Sequence, residues 1–268
     1  MKEYKILPYS RMFDLYDILN KENKANCKAV AVREIETTNL DQMRVKLSEG
    51  QMKPTYTSFI ARATAMVLKE MPNANRATIE TFFLRRTYRF LKTHVSVAVE
   101  RNDSEGNNGG AFVYTIYNTD EKKLIEITKE ISGLADSTLE SNDPRLERWR
   151  RIVTGAKRVP FSWILSLVIW CHKNIPYLYI RNRGGAVMIS SPSKYGVDFI
   201  VAHWPYTIGL SFGLVKERAW VVSGELAVRK TMPITLAFDR RIVSGADAAR
   251  FMNRLCEILE NPGKFLKE

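Results

Sequence analysis

One short stretch near the C-terminus combines residue types that proteins use for ion pairing and proton transfer. Asp239, Arg240 and Arg241 follow the strand-like run MPITLAF, and Ser244-Gly245 opens a helical pattern. Side chains in a turn between a strand and a helix lie at the edge of a sheet, where binding and catalytic groups are often found. A carboxylate and two guanidinium groups can form an ion pair or bind an anion. Neither arginine nor serine accepts a proton at neutral pH, so the stretch by itself supplies no general base.

Few other side chains in the sequence are candidates to act as a general base or as a nucleophile. The candidates are His94, His172, His203, Cys27, Cys171 and Cys256. The cysteines lack CxxC spacing, so we expect no structural metal and a reducing compartment. Cys256 falls among the apolar positions of a helical pattern, which predicts a buried and unreactive thiol.

The elements that must position these residues follow from hydrophobic periodicity. Alternating runs predict strands, and apolar residues at helical spacing predict helices. Strands are expected at 28–38, 94–100, 111–117 and in several runs after residue 185, and helices at 57–71, 120–139 and 246–259. Helices early and strands late, joined by hairpins, predict an α/β (α+β) domain with a mixed sheet.

The composition is that of a globular protein with an excess of positive charge. Of the 268 residues, 45% are hydrophobic and 26% charged, and the net charge is +12. Such a balance can attract nucleic acid, anionic lipid or a polyphosphate ligand. The densest basic clusters lie at 85–86, 148–158 and 181–183, and no nucleic-acid-binding motif accompanies them. These clusters favour the interpretation of solvent-exposed charged faces over that of a nucleic-acid contact.

The longest apolar run, FSWILSLVIWC at 161–171, bears on membrane contact. It is about half as long as a membrane span requires. It predicts a buried helix, with an interfacial segment as the alternative. The N-terminus lacks the uninterrupted apolar core of a signal peptide. We therefore expect a cytoplasmic protein with neither nucleic acid nor a membrane as its partner.

Five segments together carry a resemblance to a known family. They read TYTSFIARATAMVLKEMPNAN, HVSVAVE, AVMISS, GELAVRKTMPITLAFD and GADAARFMNRLCEILENP. In this order they resemble the catalytic domain of the dihydrolipoamide acyltransferases of 2-oxoacid dehydrogenase complexes. The resemblance implies a chloramphenicol acetyltransferase-like two-layer sandwich, with a mixed β-sheet and helices packed on one face. Residues 1–268 are expected to form one such domain with a divergent segment at about 140–183, without a lipoyl or peripheral-subunit-binding domain.

The resemblance also implies a homotrimer, with active sites between subunits where a thiol and an acyl donor meet in a channel. The family motif there reads Asp-His-Arg-x-x-Asp-Gly. In this sequence Asp239, Arg241 and Gly245 match it, whereas Arg240 takes the histidine position and Ser244 takes the second aspartate position. Ser190 matches the hydroxyl that donates to the tetrahedral intermediate, so it is the expected remnant of the oxyanion site.

These departures lead to two hypotheses. The first is a catalytically impaired, trimeric binding, scaffold or regulatory protein that pairs with an acyltransferase or dehydrogenase assembly. The alternative is an active CoA-dependent acyltransferase with relocated catalytic groups. His94 is then the candidate base, because it begins the strand that resembles the channel-lining strand of the family. No cofactor is expected to be bound covalently, and coenzyme A or an acyl-CoA is the candidate ligand.

Arg240 has two expected roles. Buried in a channel, its guanidinium would form an ion pair with Asp239, Asp247 or a carboxylate of a neighbouring subunit. Otherwise it would form an anion-binding site, with Asp239 and Arg241 beside it, in the place of the former active site.

Overall fold

The computed structural model describes residues 28–48, 52–80, 85–102, 108–135 and 162–266, and Cys27 lies outside them. Its strands are β1 (Lys28–Glu36), β2 (Arg76–Glu80), β3 (Arg85–Arg89), β4 (Val95–Asn102), β5 (Asn108–Ile116), β6 (Val187–Ser190), β7 (Ile208–Phe212), β8 (Lys216–Val222) and β9 (Glu225–Asp239). Its helices are α1 (Thr38–Leu47), α2 (Tyr56–Glu70), α3 (Leu124–Ala135), α4 (Ser162–Asn174), α5 (Pro176–Arg183), α6 (Gly245–Glu260) and α7 (Pro262–Phe265).

The described strands form one large mixed sheet and one separate two-stranded ribbon. The large sheet runs β1-β9-β7-β6-β4-β5, and β8 pairs with the first half of β9. The β4–β6 and β6–β7 pairs are parallel, and the other pairs are antiparallel. The ribbon is the antiparallel pair of β2 and β3. This arrangement confirms the predicted α/β class with a mixed sheet.

One face of the sheet and the helices share the main hydrophobic core. Alternate residues of the central strands point into it, for example Leu210 of β7 and Leu236 of β9. Helix α6 contributes Phe251 and Leu255, both fully buried, and its apolar positions recur every three to four residues as the sequence pattern predicts. Each such side chain contributes about 1.5–3 kcal/mol by leaving water. The core therefore holds β9 and α6 together, and with them the turn between these two elements.

The other face of the sheet is lined by small and polar residues, and a coil covers part of it. A Cβ on Gly213 would lie 1.5 Å from the carbonyl oxygen of Asp198, and one on Gly209 would lie 3.1 Å from that of Ala202. At Gly213 nothing larger than glycine fits beneath this coil, and at Gly209 a side chain would crowd it. The end of α5 also lies on this face, since the Ser96 hydroxyl donates to the Arg183 carbonyl at 2.8 Å.

The prediction of a buried helix for the apolar run at 161–171 is wrong for most of that helix. Within α4 Ile169 is buried, but Trp163, Leu167 and Trp170 are exposed. The sequence pattern fails here because α4 is apolar around most of its circumference and only one side touches the domain. No helix in the described ranges is both long and apolar enough to cross a bilayer.

Candidate functional site

The candidate site is built on the turn that joins β9 to α6. Asp239 is the last residue of β9, and its carbonyl accepts hydrogen bonds from the amides of Ile242 and Val243 at 3.0 and 2.9 Å. Val243 is buried in the core, and Ser244 is the residue at which α6 begins. The turn is therefore fixed at both ends, and its polar side chains have defined positions.

Asp239 and Arg241 form a two-pronged ion pair within this turn. The Arg241 Nε donates to Oδ1 of Asp239 at 2.9 Å, and its Nη2 donates to Oδ2 at 2.5 Å. The Arg241 amide also donates to Oδ1, at 3.0 Å. Burial of Asp239, which is 4% exposed, raises the pKa of its carboxyl, but the hydrogen bonds and charge of Arg241 outweigh burial and lower that pKa overall. Asp239 is therefore ionised at neutral pH, and its carboxylate fixes the position of the Arg241 guanidinium.

Ser244 is the N-terminal cap of α6. Its hydroxyl oxygen accepts from the Asp247 amide at 3.1 Å, and the hydroxyl donates to the Asp247 carboxylate at 2.8 Å. Asp247 also accepts from Arg250 at 2.9 Å. A serine in this place satisfies a free amide at the helix start, which is a structural role that the residue type alone explains.

Arg240 lies exposed on the surface of the single chain, between these two groups. In the described part of the chain it has no ion pair, because Asp239 is held by Arg241 and Asp247 by Ser244 and Arg250. The two partners that the sequence offered within the chain are thus engaged elsewhere. Of the expected ion pairs, the one with a carboxylate of a neighbouring subunit stays a prediction, and so does the anion-binding role.

His94 lies just before β4 and is 7% exposed. Burial, and after it the charge of Lys92, lowers the pKa of its imidazole, so the ring is neutral at pH 7. The Asn118 amide donates to its Nδ1 at 3.0 Å, and the Tyr117 ring packs against it edge-on. That hydrogen bond assigns the proton to Nε2 and occupies the basic nitrogen. Accepting a substrate proton at Nδ1 would break the bond.

Ser190 lies at the opposite end of the sheet from His94 and Asp239. It pairs with Ser211 of β7, which pairs in turn with Thr235 of β9. Asp239 is four residues beyond Thr235, so its backbone lies about 16 Å from Ser190 at ordinary strand spacings. Val95 pairs with Val187, which by the same spacings puts His94 about 14 Å from Ser190. A single chain does not bring Ser190 together with either group.

The sequence did not single out Ser211 and Thr235, which continue the row of hydroxyls from Ser190. Both are buried, and the Thr235 hydroxyl has no hydrogen-bond partner among the described residues. Neighbouring Ser191 has a structural role, since it donates to the Phe212 carbonyl at 2.8 Å. The available signal was that polar residues recur at every second position of otherwise apolar strands, and it becomes meaningful only when the register is known.

A family model describes most of the chain. The catalytic domain of the 2-oxoacid dehydrogenase acyltransferases matches residues 14–143 and 181–267. The chain belongs to this acyltransferase family. The resemblance inferred from the five sequence segments is thereby confirmed, and the family's fold accounts for the sheet and for the position of the β9–α6 turn.

Relatives and solved structures agree with the family assignment. The acetyltransferase component of the Acholeplasma laidlawii pyruvate dehydrogenase complex is 28% identical over 79% of this chain and 31% of its own length. The lipoamide acyltransferase of a Pseudomonas aeruginosa branched-chain complex is 25% identical over 88% of this chain and 47% of its own. The chain thus spans less than half the length of these relatives.

Two solved structures show the shared fold. One is an Azotobacter vinelandii dihydrolipoamide acetyltransferase, studied for the catalytic roles of a serine, a histidine and an asparagine. It superposes with a TM-score of 0.70 at 21% identity, covering 99% of this chain and 95% of that one. A chloramphenicol acetyltransferase superposes with a TM-score of 0.50 at 14% identity, covering 99% of both chains. The predicted chloramphenicol acetyltransferase-like sandwich is therefore confirmed.

The other candidate groups among the described residues of this acyltransferase-family chain lie on other elements than the turn. Cys256 is fully buried in α6, and burial raises the pKa of its thiol to about 12, so the predicted inert thiol is confirmed. Cys171 and His172 are half-buried in α4, and His203 is exposed in the covering coil. Within the described ranges, no three His, Cys, Asp or Glu side chains are grouped closely enough to hold a metal ion.

Proposed function

We propose that this chain is a catalytically impaired, trimeric member of the family that acts by binding or scaffolding, as a partner within an acyltransferase or dehydrogenase assembly. Coenzyme A or an acyl-CoA is the proposed non-covalent ligand. The observation that carries the proposal is Arg240, a permanently charged side chain where the family motif has its proton acceptor.

The spacing of catalytic residues in one relative supports this placement. In the Azotobacter vinelandii enzyme the histidine follows the serine by 52 residues, and the asparagine follows the histidine by four. Here Arg240 follows Ser190 by 50 residues, and Ser244 follows Arg240 by four. That relative has an amide rather than a carboxylate at the third position, so Ser244 is the smaller departure. The loss of histidine is the larger one, because general-base help contributes about 10²–10⁴ in rate.

The contacts of the neighbouring side chains give no replacement for that base. Ser244 is committed to the start of α6, and Asp239 is committed to Arg241. His94 uses its basic nitrogen to accept from the Asn118 amide. The alternative of an active enzyme with His94 as the base would require that hydrogen bond to be broken in every catalytic cycle.

The trimer is supported by the separation of Ser190 from the β9–α6 turn. Since the two lie at opposite ends of one sheet, a site that uses both needs a second chain. The β8–β9 hairpin offers a surface for such a chain, because Leu226 is 77% exposed and stands opposite the exposed Val221. Among the solved relatives is the cubic core of a pyruvate dehydrogenase multienzyme complex, with a TM-score of 0.70. We propose a closed trimer with the β8–β9 hairpin at its interface.

The proposal is tested by measuring ligand binding and acyl transfer separately on the purified chain. Calorimetric titration with coenzyme A measures binding. Transfer of acetyl groups from acetyl-CoA to dihydrolipoamide measures catalysis. We expect transfer at the rate of the uncatalysed reaction, and no change in it for Ser190→Ala or His94→Ala.

A different result would favour the enzyme. Transfer well above background, with a pH profile centred near the ordinary pKa of histidine and lost in His94→Ala, means that the base has moved. In that case the chain is an active CoA-dependent acyltransferase and the binding proposal is wrong.

A further inference from the structure

Helices α4 and α5 expose a band of large apolar and aromatic side chains. In α4 the outer residues Trp163, Leu167 and Trp170 recur at helical spacing, and Trp163 is 63% exposed. In α5 and the residue before it, Tyr177 is 68% exposed and Ile175 is also exposed. Single exposed apolar residues are ordinary, but several on one pair of adjacent helices mark a surface that contacts something else.

The orientation of the band is fixed by contacts on its inner side. Ile169 and Tyr179 are buried, and the Tyr179 ring stacks on Phe90 with centroids 5.7 Å apart. The Tyr117 hydroxyl donates to the Arg181 carbonyl at 2.9 Å. The α4–α5 pair therefore packs on the domain by one side, and its apolar outer side faces away from the core.

The band does not belong to the part of the chain that the family model describes. That match ends at residue 143 and resumes at 181, so all of α4 and the first five of the eight residues of α5 fall between its two parts. The segments that the family model matches give no account of why these helices are apolar on the outside.

In the described part of the chain, positive charge lies beside the band on the β2–β3 ribbon. Helix α4 contacts β2, and the ribbon of β2 and β3 carries four arginines against one acidic residue: Arg76, Arg85, Arg86, Arg89 and Glu80. Arg86 and Arg89 are exposed. The sequence that leads into α4, residues 143–161, contains six basic residues and two acidic ones: Arg145, Arg148, Arg150, Arg151, Lys157, Arg158, Asp143 and Glu147.

We propose that the outer face of α4 and α5, flanked by the β2–β3 ribbon, docks on an anionic lipid bilayer. Apolar and aromatic side chains on one side of a helix, with cationic residues beside them, suit the boundary between headgroups and acyl chains, where tryptophan and tyrosine are favoured. The 13 residues of α4 span only about 20 Å, which suits a helix lying in the interface. This revises the sequence-based expectation of no membrane contact and adopts its interfacial alternative for the 161–171 run.

Charge favours a bilayer over a second copy of the chain. Two copies that met through this surface would each bring an arginine ribbon to the interface. Like charges across an interface oppose association, whereas phosphate headgroups are complementary to the same arginines.

The test is co-sedimentation of the full chain with phosphatidylcholine vesicles, with and without phosphatidylglycerol. We expect binding to the anionic vesicles that weakens as salt is added. The double variant Trp163→Ser with Trp170→Ser should bind at least about tenfold more weakly, because it removes two interfacial anchors. Arg86→Ser with Arg89→Ser should also bind about tenfold more weakly, through lost attraction to the headgroups.

A matched control removes two exposed apolar side chains elsewhere. Val45 and Met52 are exposed on and after α1, and Val45→Ser with Met52→Ser should bind vesicles as the wild type does. Thermal unfolding shows whether each variant is folded. The proposal goes beyond the proposed function, and its test has no acyl-transfer readout.

Three results would overturn the proposal. One is equal binding to neutral and anionic vesicles, and another is binding to neither. The third is a fall in lipid-free mass, by sedimentation velocity, for the tryptophan variant alone, which would mean that a second copy covers the band.

Discussion

Two adjacent arginines after β9 are both exposed but differ in their contacts. Arg241 holds the buried carboxylate of Asp239 with both prongs of its guanidinium, whereas Arg240 is exposed and has no partner in the described part of the chain. Of these two arginines, the one in the family's histidine position therefore contributes less to the stability of a single chain. We therefore expect substitutions of Arg241 to affect stability and substitutions of Arg240 to affect function.

We expect Arg241→Ala to lower the free energy of unfolding by about 2–3 kcal/mol, because it leaves a buried carboxylate unpaired. Arg240→Ala is the matched control and should change it by less than about 0.5 kcal/mol. Urea unfolding at a fixed protein concentration measures both. Equal effects of the two substitutions would contradict the assignment of the ion pair.

The effect of Arg241→Ala should also depend on pH. The pKa of Asp239 is lowered in the folded state, so its ionised form contributes stability at pH values above the unfolded carboxyl pKa. That contribution is lost as the pH falls through the folded pKa. The difference between wild type and variant should therefore be full at pH 7 and shrink below about pH 4. A constant difference from neutral to acid pH would mean that the carboxylate charge is irrelevant.

At the scale of elements, the helix α6 begins at the position where the family motif has its second acidic residue. Ser244 caps that helix through the Asp247 amide. Ser244→Ala should cost about 1 kcal/mol, and Ser244→Asn, which retains a cap acceptor, should cost much less. Thermal unfolding of the two variants tests this. If alanine and asparagine have the same effect, the hydroxyl does not act as a cap.

The contact between β7 and the covering coil gives a second prediction at this scale. A methyl group on Gly213 would meet the Asp198 carbonyl, so Gly213→Ala must push the coil off the sheet and should cost at least about 2 kcal/mol. Gly245→Ala at the start of α6 meets nothing within 4 Å and should be neutral within about 0.5 kcal/mol. Denaturant unfolding compares the two glycines directly. A tolerated alanine at 213 would show that the coil is not packed this closely.

At the scale of the whole molecule, the proposed function requires a second chain to complete the site. Ser190 and Arg240 lie at opposite ends of one sheet, and their separation follows from strand register rather than from side-chain conformation. No rotation of side chains within one chain can bring them together. The oligomeric state therefore decides whether a site containing both exists.

We expect sedimentation velocity to give a mass near three times 30.8 kDa. Leu226→Asp with Val228→Asp should shift the protein toward monomer, since charges in an apolar interface are costly. Val45→Asp, at an exposed apolar position outside the hairpin, is the control and should leave the mass unchanged. A wild-type monomer at micromolar concentration would contradict the trimer.

Local patterns in the sequence were enough to predict several features of the fold and of the site. The alternation of apolar residues predicted β1, β4 and β5, and helical periodicity predicted α2, α6 and the buried thiol of Cys256. The family segments identified the β9–α6 turn and the departure at Arg240. These features depend on neighbours within a few residues, which a sequence displays directly.

Which groups meet follows from the folding of the whole chain. The fold pairs Asp239 with Arg241, directs a backbone amide to donate to the basic nitrogen of His94, and separates Ser190 from the β9–α6 turn. It also left the outer face of α4 exposed, where hydrophobic content alone had predicted burial. Pairings between residues tens to hundreds of positions apart depend on strand order and register. These are set by the packing of the whole chain, and no local periodicity encodes them.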